Sequence, residues 1–136
     1  MIIEEIMTRD VATIRPEQSL LDAAELMRSR DVGSLPVHEN DRLIGMITDR
    51  DIVVRGLTDN DVAGKTVRDV MSEEVMYCRT GDQVESVATN MADLEMRRLP
   101  VVDDHKRLVG IVSLANMMHS KRSAAQTMGR GVATPH

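Results

Sequence analysis

The stretch that decides the fold is SLPVHENDRLIGMITDRD, residues 34–51, because two short apolar runs, a turn and a helix start follow one another in it. The apolar runs cover 34–38 and 43–47, and the polar residues between them are typical of a tight β-hairpin. The segment from Asp49 to Arg55 can then form a helix. A similar stretch, LPVVDDHKRLVGIVSLAN, occupies residues 99–116. This pattern predicts a β-β-α element that occurs twice.

The repetition extends beyond the hairpins over most of the chain. An offset of 64 residues aligns Met7 with Met71 and residues 35–37 with 99–101, and after one inserted residue near His105 the offset becomes 65. An amphipathic helix precedes each hairpin, the first opening with a Ser-x-x-Asp capping box at 19–22 and the second predicted from about 83 to 95. The chain is therefore a tandem of two related units.

Each unit reads β-α-β-β-α, with the first strand of the second unit expected around residues 75–78, and this order predicts an α/β (α+β) fold. A unit of about 60 residues buries too little surface to be stable alone, so we expect the two to pack about a pseudo-twofold axis into one core with two equivalent clefts. The predicted boundaries are 5–56 for the first repeat, 57–66 for a linker, 67–120 for the second repeat and 121–136 for a flexible C-terminal tail.

Composition excludes several classes of protein. The chain has 136 residues, one cysteine, no Trp or Phe and a formal net charge of −5, so a disulfide scaffold, a multi-thiolate zinc site and a nucleic-acid binder are all disfavoured. No apolar run approaches the ~18 residues of a membrane span, and the acidic N-terminus does not resemble a secretory signal, which predicts a cytoplasmic protein. Neither a metal-ligand motif nor a glycine-rich phosphate loop occurs. We expect no catalytic and no metal site.

Two helix starts carry the chemistry that points to a ligand. Thr48 and Asp51 place a hydroxyl, free backbone N–H groups and a carboxylate together, which suits a phosphate and the two hydroxyls of a ribose. Ser113 and Asn116 occupy the matching positions of the second unit, where an uncharged amide makes ribose capture weaker. A simple helix cap is the alternative interpretation of both pairs.

These repeated segments resemble the cystathionine-β-synthase (CBS) domain, a regulatory module found in tandem as the Bateman module. The resemblance covers roughly residues 5–120 and suggests a stand-alone CBS pair. The segments that carry it are 7–8, 11–13, 34–37, 43–47 and 48–51 in the first repeat, and 71–72, 99–103, 108–112 and 113–116 in the second. It implies a non-catalytic sensor that binds AMP, ADP or ATP in its clefts, with S-adenosylmethionine or an NAD-type dinucleotide also possible. The alternative is a structural or protein-interaction dimer without a small-molecule ligand.

The resemblance also implies where the rest of a ligand would lie. For Thr48 and Asp51, the base would lie against Val75, Met76 and Tyr77, and the alternative for Tyr77 is a place in the core or on the surface of the sheet. For Ser113 and Asn116, it would lie against Val11, Ala12 and Thr13. Arg97 and Arg98 stand where the family often places basic side chains against phosphate, and the alternative is that they are surface charges.

Two further expectations concern assembly and the core. CBS pairs usually dimerise through their second helices, so the resemblance implies a homodimer whose face is supplied from Ile52, Val53, Met117 and Met118, some of which must also fill the core. It also implies a regulated protein partner that the sequence does not identify. Cys78 lies in an apolar pattern and is expected to be a buried structural thiol. Six repeat-matched methionines are expected in the core, namely Met7, Met27, Met46, Met71, Met76 and Met91.

Overall fold

A computed structural model describes residues 1–58 and 60–121, and within it the chain divides into two compact units. The first unit contains Asp10–Met76 with Asp104–Leu108. The second unit contains Met1–Arg9, Tyr77–Asp103 and, among the described residues, 109–121. The first nine residues thus belong with the hairpin of the second repeat rather than with that of the first. The repeat boundaries given above stay a prediction, and all of the expected tail except residue 121 lies outside the described residues.

The first unit is built around the predicted hairpin. Its elements are α1 (Leu20–Arg30), β1 (Ser34–Glu39), β2 (Arg42–Thr48), α2 (Asp49–Asp51), which continues as a π-helix over Ile52–Gly56, and α3 (Val67–Val70). Strands β1 and β2 are antiparallel, with Ser34 opposite Thr48 and Glu39 opposite Arg42. The turn between them holds Asn40 and Asp41 at φ 53° and 65°, the left-handed conformation that two-residue hairpin turns require.

Helix α1 covers one face of this hairpin. It begins where the Ser19 hydroxyl accepts the Asp22 N–H at 3.0 Å, and it ends at Asp31, whose φ of 52° is left-handed. The expected helix start is therefore confirmed. The core of the unit combines side chains from α1, the hairpin and α3, including Leu20, Ala23, Met27, Leu35, Val37, Ile47, Val67, Val70 and Met71.

The second unit contains a three-stranded sheet. The unit begins with a 3-10 helix at Ile3–Glu5. After the residues of the first unit follow β3 (Cys78–Arg79), α4 (Val84–Asp93), β4 (Arg98–Val102), β5 (Leu108–Ser113), whose first residue is counted with the first unit, and a final helix α5 over residues 114–121. The strand order is β3-β4-β5, with β3 parallel to β4. Its core includes Ile3, Cys78, Val87, Met91, Leu99, Val101, Val112 and Met117.

Three local predictions need correction. No strand covers residues 75–77, because pairing begins only at Cys78, and Met76 is 52% exposed rather than a core residue. The helix expected over 49–55 is α-helical for one turn only and then a π-helix. Met27, Met71 and Met91 are buried as expected, whereas Met7 and Met46 are partly buried.

In each unit, the hairpin is hydrogen-bonded to the segment that begins the other repeat. In the first unit Met46 and Ser72 exchange two backbone hydrogen bonds, of 3.0 and 2.8 Å, and in the second unit Thr8 and Ile111 do the same at 2.8 and 2.9 Å. Glycine makes the close approach possible. A Cβ on Gly45 would lie 2.7 Å from the Ser72 carbonyl oxygen, and one on Gly110 would lie 2.9 Å from that of Thr8.

Replacing Gly45 with alanine should therefore destabilise the protein by about 1–3 kcal/mol, the usual cost of forcing extra volume into a packed site. Chemical denaturation measures this change. Gly81→Ala is the matched control, since a Cβ there meets nothing within 4 Å. Equal unfolding free energies for the two variants would mean that the backbone near Ser72 yields without cost.

Candidate functional site

Thr48 and Asp51 form a reciprocal cap at the point where β2 passes into α2. The Asp51 N–H donates to Thr48 Oγ1 at 3.0 Å, and the Thr48 N–H donates to Asp51 Oδ2 at 2.9 Å. The Asp51 side chain is 18% exposed. The structure thus brings the two predicted residues together and holds a mostly buried carboxylate in one orientation beside a hydroxyl.

The second carboxylate oxygen of Asp51 also has a partner. Arg55, four residues further along the helix, donates from Nη2 to Asp51 Oδ1 at 2.7 Å, and the Arg55 side chain is 50% exposed. Arg55 is not among the residues predicted from the sequence, although the Asp-x-x-x-Arg spacing is a standard signal for a helical ion pair.

Ser113 and Asn116 are brought together in the second unit by the same cap geometry. The Asn116 N–H donates to Ser113 Oγ at 3.1 Å, while the N–H and hydroxyl of Ser113 donate to Asn116 Oδ1 at 2.9 and 2.8 Å. The Asn116 amide group donates to Thr8 Oγ1 at 3.4 Å, a contact that the sequence analysis also missed. Because Oδ1 already accepts two hydrogen bonds, this amide has less capacity for a ribose than the Asp51 carboxylate.

Arg97 immediately precedes β4, and Arg98 is the first residue of that strand. The Arg97 carbonyl accepts the N–H of Leu114 at 3.0 Å, as the Gly33 carbonyl accepts that of Asp49 at 2.9 Å in the first unit. Backbone bonding therefore fixes Arg97 beside the start of α5. Both arginines are exposed, and neither forms an ion pair within the described part of the chain.

The residues predicted to flank a base lie outside regular secondary structure. Val11, Ala12, Thr13 and Val75 are partly buried, whereas Met76 and Tyr77 are 52% and 37% exposed. Val75 and Met76 belong to the same unit as Thr48 and Asp51. Residues 11–13 belong to a different unit from Ser113 and Asn116, and Tyr77 to a different unit from Thr48, so the association of these residues with the two caps stays a prediction.

Cys78 is buried, as expected, with Sγ 3.8 Å from the carbonyl oxygen of Pro100. Burial raises the pKa of this thiol to about 12, and the nearby Asp82 carboxylate acts in the same direction. The thiol consequently stays protonated at neutral pH and is a poor nucleophile.

We expect Cys78 to react slowly with Ellman's reagent near pH 8 in the folded protein and fully in denaturant. The ratio of the two rates measures its protection. Rapid modification of the folded chain would contradict the burial and raised pKa described above.

Two other features are absent from residues 1–58 and 60–121. No group of three or more His, Cys, Asp or Glu side chains in those ranges is arranged to hold a metal ion. Within the same ranges, none of the helices combines the length and apolar character that crossing a membrane requires.

The CBS domain family model matches the chain twice, at residues 3–56 and 67–122. The chain belongs to this family, and its mixed helix-and-strand fold contains two CBS repeats. Among curated relatives, Hypoxic response protein 1 of Mycobacterium tuberculosis is 36% identical over 115 residues, which are 83% of this chain and 80% of that protein. A crystal structure of Hypoxic Response Protein I with two coordinated zinc ions has a TM-score of 0.78 at 33% identity, covering 88% of this chain and 98% of that one.

Two further solved structures contain adenosyl ligands. CBSX2, a CBS-pair protein of Arabidopsis thaliana, has been crystallised with AMP; the match has a TM-score of 0.77 and 29% identity, covering 93% of this chain and 98% of that one. The CBS domain pair of protein MJ0100, in complex with 5-methylthioadenosine and S-adenosyl-L-methionine, has a TM-score of 0.74 and 26% identity, with coverages of 91% and 98%.

Proposed function

We propose that this chain is a non-catalytic regulatory module that binds an adenosyl ligand, with Thr48 and Asp51 as its principal binding residues. The observation that carries the proposal is the Asp51 carboxylate, which is 18% exposed and is fixed by its own helix cap beside the Thr48 hydroxyl. AMP, ADP and ATP are the first candidates, and S-adenosylmethionine and NAD-type dinucleotides share the same nucleoside. The AMP, methylthioadenosine and S-adenosylmethionine complexes of the related CBS pairs support this class of ligand.

The chemistry of the cap suits a nucleoside. An ionised carboxylate accepts hydrogen bonds only, so it pairs with both vicinal hydroxyls of a ribose without competition from a donor of its own. The Thr48 hydroxyl suits an anionic substituent on that ribose. The backbone N–H groups that were expected to be free at this helix start are not: that of Asp49 donates to the Gly33 carbonyl at 2.9 Å, that of Arg50 to Asp49 Oδ1 at 2.8 Å and that of Asp51 to Thr48 Oγ1 at 3.0 Å. Val75, Met76 and Tyr77 remain the proposed neighbours of the base.

A thermal-shift screen of the purified chain against AMP, ADP, ATP, NAD⁺ and S-adenosylmethionine tests this function. A ligand at 100 times its dissociation constant adds about 2.7 kcal/mol to stability, which raises the melting temperature by several degrees. No shift with any of the five would contradict adenosyl binding. Turnover of a ligand that does bind would contradict the non-catalytic assignment.

The second candidate is a structural or protein-interaction dimer without a small-molecule ligand. Its support is the apolar surface on the second helices, where Val53 and Met118 are 58% and 55% exposed while Met117 is buried. A homodimer and a regulated protein partner are compatible with either candidate, as is the predicted cytoplasmic location. A dimer that shows no thermal shift with the five compounds would favour this second candidate.

At the second helix start we propose a weaker site that depends more on phosphate charge. Arg97→Ala/Arg98→Ala is expected to weaken ATP binding more than AMP binding, because each charge-assisted hydrogen bond contributes about 1.5–3 kcal/mol. Calorimetric titration at low and high salt measures this, and the difference should shrink with salt because exposed charges are screened. Equal losses of AMP and ATP affinity would show that Arg97 and Arg98 are surface charges rather than phosphate ligands.

A further inference from the structure

We propose that Arg55 lowers the affinity of the first site for its ligand, because its guanidinium competes with the ribose hydroxyls for the Asp51 carboxylate. This inference rests on the proposed function of Asp51 and adds an internal competitor to it. The competitor penalises a ligand that has to displace Arg55.

The hydrogen bonds of Asp51 show where the competition lies. Oδ2 accepts the Thr48 N–H at 2.9 Å, a bond that belongs to the helix cap and is lost only if the cap opens. Oδ1 accepts Arg55 Nη2 at 2.7 Å. A ribose offers two donors, and Oδ2 already accepts a hydrogen bond from the backbone. Oδ1 is therefore the oxygen for which the ligand and Arg55 compete.

The exposure of the Asp51 and Arg55 side chains indicates which of the two moves when a ligand binds. The Asp51 side chain is 18% exposed, so little of it is open to water and to a ligand at the same time. The Arg55 side chain is 50% exposed, and its guanidinium regains hydration when it leaves the carboxylate. Ligand entry should therefore displace Arg55 and leave the Thr48 bond in place.

Among residues 1–58 and 60–121, the second helix start has no such competitor. The offset of 65 residues places Ser120 at the position of Arg55, and Asn116, at the position of Asp51, carries no charge to attract a cation. The Ser120 hydroxyl is hydrogen-bonded to the Met1 sulfur instead. Arg55 thus distinguishes the first site from the second.

An uncharged ligand isolates this effect. Adenosine has the ribose and the base but no phosphate, so salt acts on its binding mainly through the protein's own charges. Salt weakens the half-exposed Arg55–Asp51 pair and should strengthen adenosine binding, which is opposite to the usual effect of salt on a charged ligand. If Arg55 only stabilised the helix, raising the salt concentration would not strengthen adenosine binding through this ion pair.

The experiment is calorimetric titration of adenosine into the full chain and its variants at about 0.05 M and about 1 M NaCl. Arg55→Met is expected to bind adenosine about three- to tenfold more tightly than the wild type at low salt, the range for a half-exposed charge-assisted pair. Arg55→Lys, which keeps the charge, should fall between them. Raising the salt concentration should increase the adenosine affinity of the wild type about twofold more than that of Arg55→Met. Arg28→Met is the matched control, because Arg28 is an exposed arginine of α1 without an ion pair among the described residues.

The outcomes separate this inference from the function on which it rests. If the wild type binds adenosine, Asp51→Asn does not, and Arg55→Met equals the wild type, the competition is overturned while the function stands. If Arg55→Met loses AMP affinity but not adenosine affinity, Arg55 is a phosphate ligand and the competition is again overturned. If none of the proteins binds adenosine or AMP, both are overturned. Circular dichroism melting of each variant identifies any that fails to fold, and Arg55→Lys then decides the question.

Discussion

Replacing Asp51 with asparagine is expected to lower AMP affinity by roughly five- to 150-fold while leaving the fold in place. The loss follows from the ribose hydroxyls, since removing a charged acceptor costs about 1–3 kcal/mol. The fold should tolerate the change because Asn116 already closes the equivalent cap of the second unit, where its Oδ1 accepts the Ser113 N–H at 2.9 Å. Isothermal titration calorimetry gives the affinity, and chemical denaturation gives the stability.

Asp69→Asn is the matched control for this prediction. Asp69 closes a cap of the same kind at the start of α3, where Oδ2 accepts the Thr66 N–H at 2.8 Å, and its side chain belongs to no proposed site. The two substitutions should change stability by similar amounts, up to about 1 kcal/mol, but only the one at Asp51 should change AMP binding. Equal AMP affinities for the two variants would show that Asp51 is a helix cap and nothing more.

The second large effect is expected in assembly. Val53→Glu should convert a homodimer into a monomer, raising the dimer dissociation constant about 100-fold or more, because a buried unpaired carboxylate costs several kcal/mol. Val53 is 58% exposed, and its neighbours Val54 and Leu57 are 45% and 55% exposed, so the π-helix and the residue after it present apolar side chains to solvent. Light scattering over a range of micromolar concentrations measures the mass.

Leu21→Glu provides the comparison for the dimer experiment. Leu21 is 68% exposed on α1, outside the second helices that are predicted to form the dimer face. The variant should keep the dimer mass. A wild-type chain that is monomeric at all concentrations, or a Val53→Glu variant that stays dimeric, would rule out this face as the interface.

The sequence was most informative where the determining interactions are local. The hairpin over residues 34–48 follows from two apolar runs and a turn, and the caps at Ser19, Thr48 and Ser113 follow from partners three residues away. The Arg55–Asp51 pair has an equally local signal in its four-residue spacing, but an ion pair at that spacing is common and does not by itself indicate a site.

The exchange of N-terminal segments between the hairpins could not be predicted in the same way. Thr8 pairs with Ile111 across more than 100 residues of chain, and no local pattern states which hairpin an isolated extended segment joins. The same limitation explains Met76. Its apolar neighbours suggested a strand, but strand pairing depends on a distant partner and begins at Cys78, which leaves Met76 exposed.

The most direct test of the central claim is a residue-resolved titration of the isotopically labelled chain with AMP, followed by ¹H–¹⁵N correlation spectra. We predict that the amide signals of residues 48–51 shift with AMP concentration and that the shifts follow one binding curve. The same titration of Asp51→Asn should displace that curve to higher AMP concentration. Saturable shifts that leave residues 48–51 unchanged, or no shifts at millimolar AMP, would contradict the assignment of Thr48 and Asp51 as the binding residues for AMP.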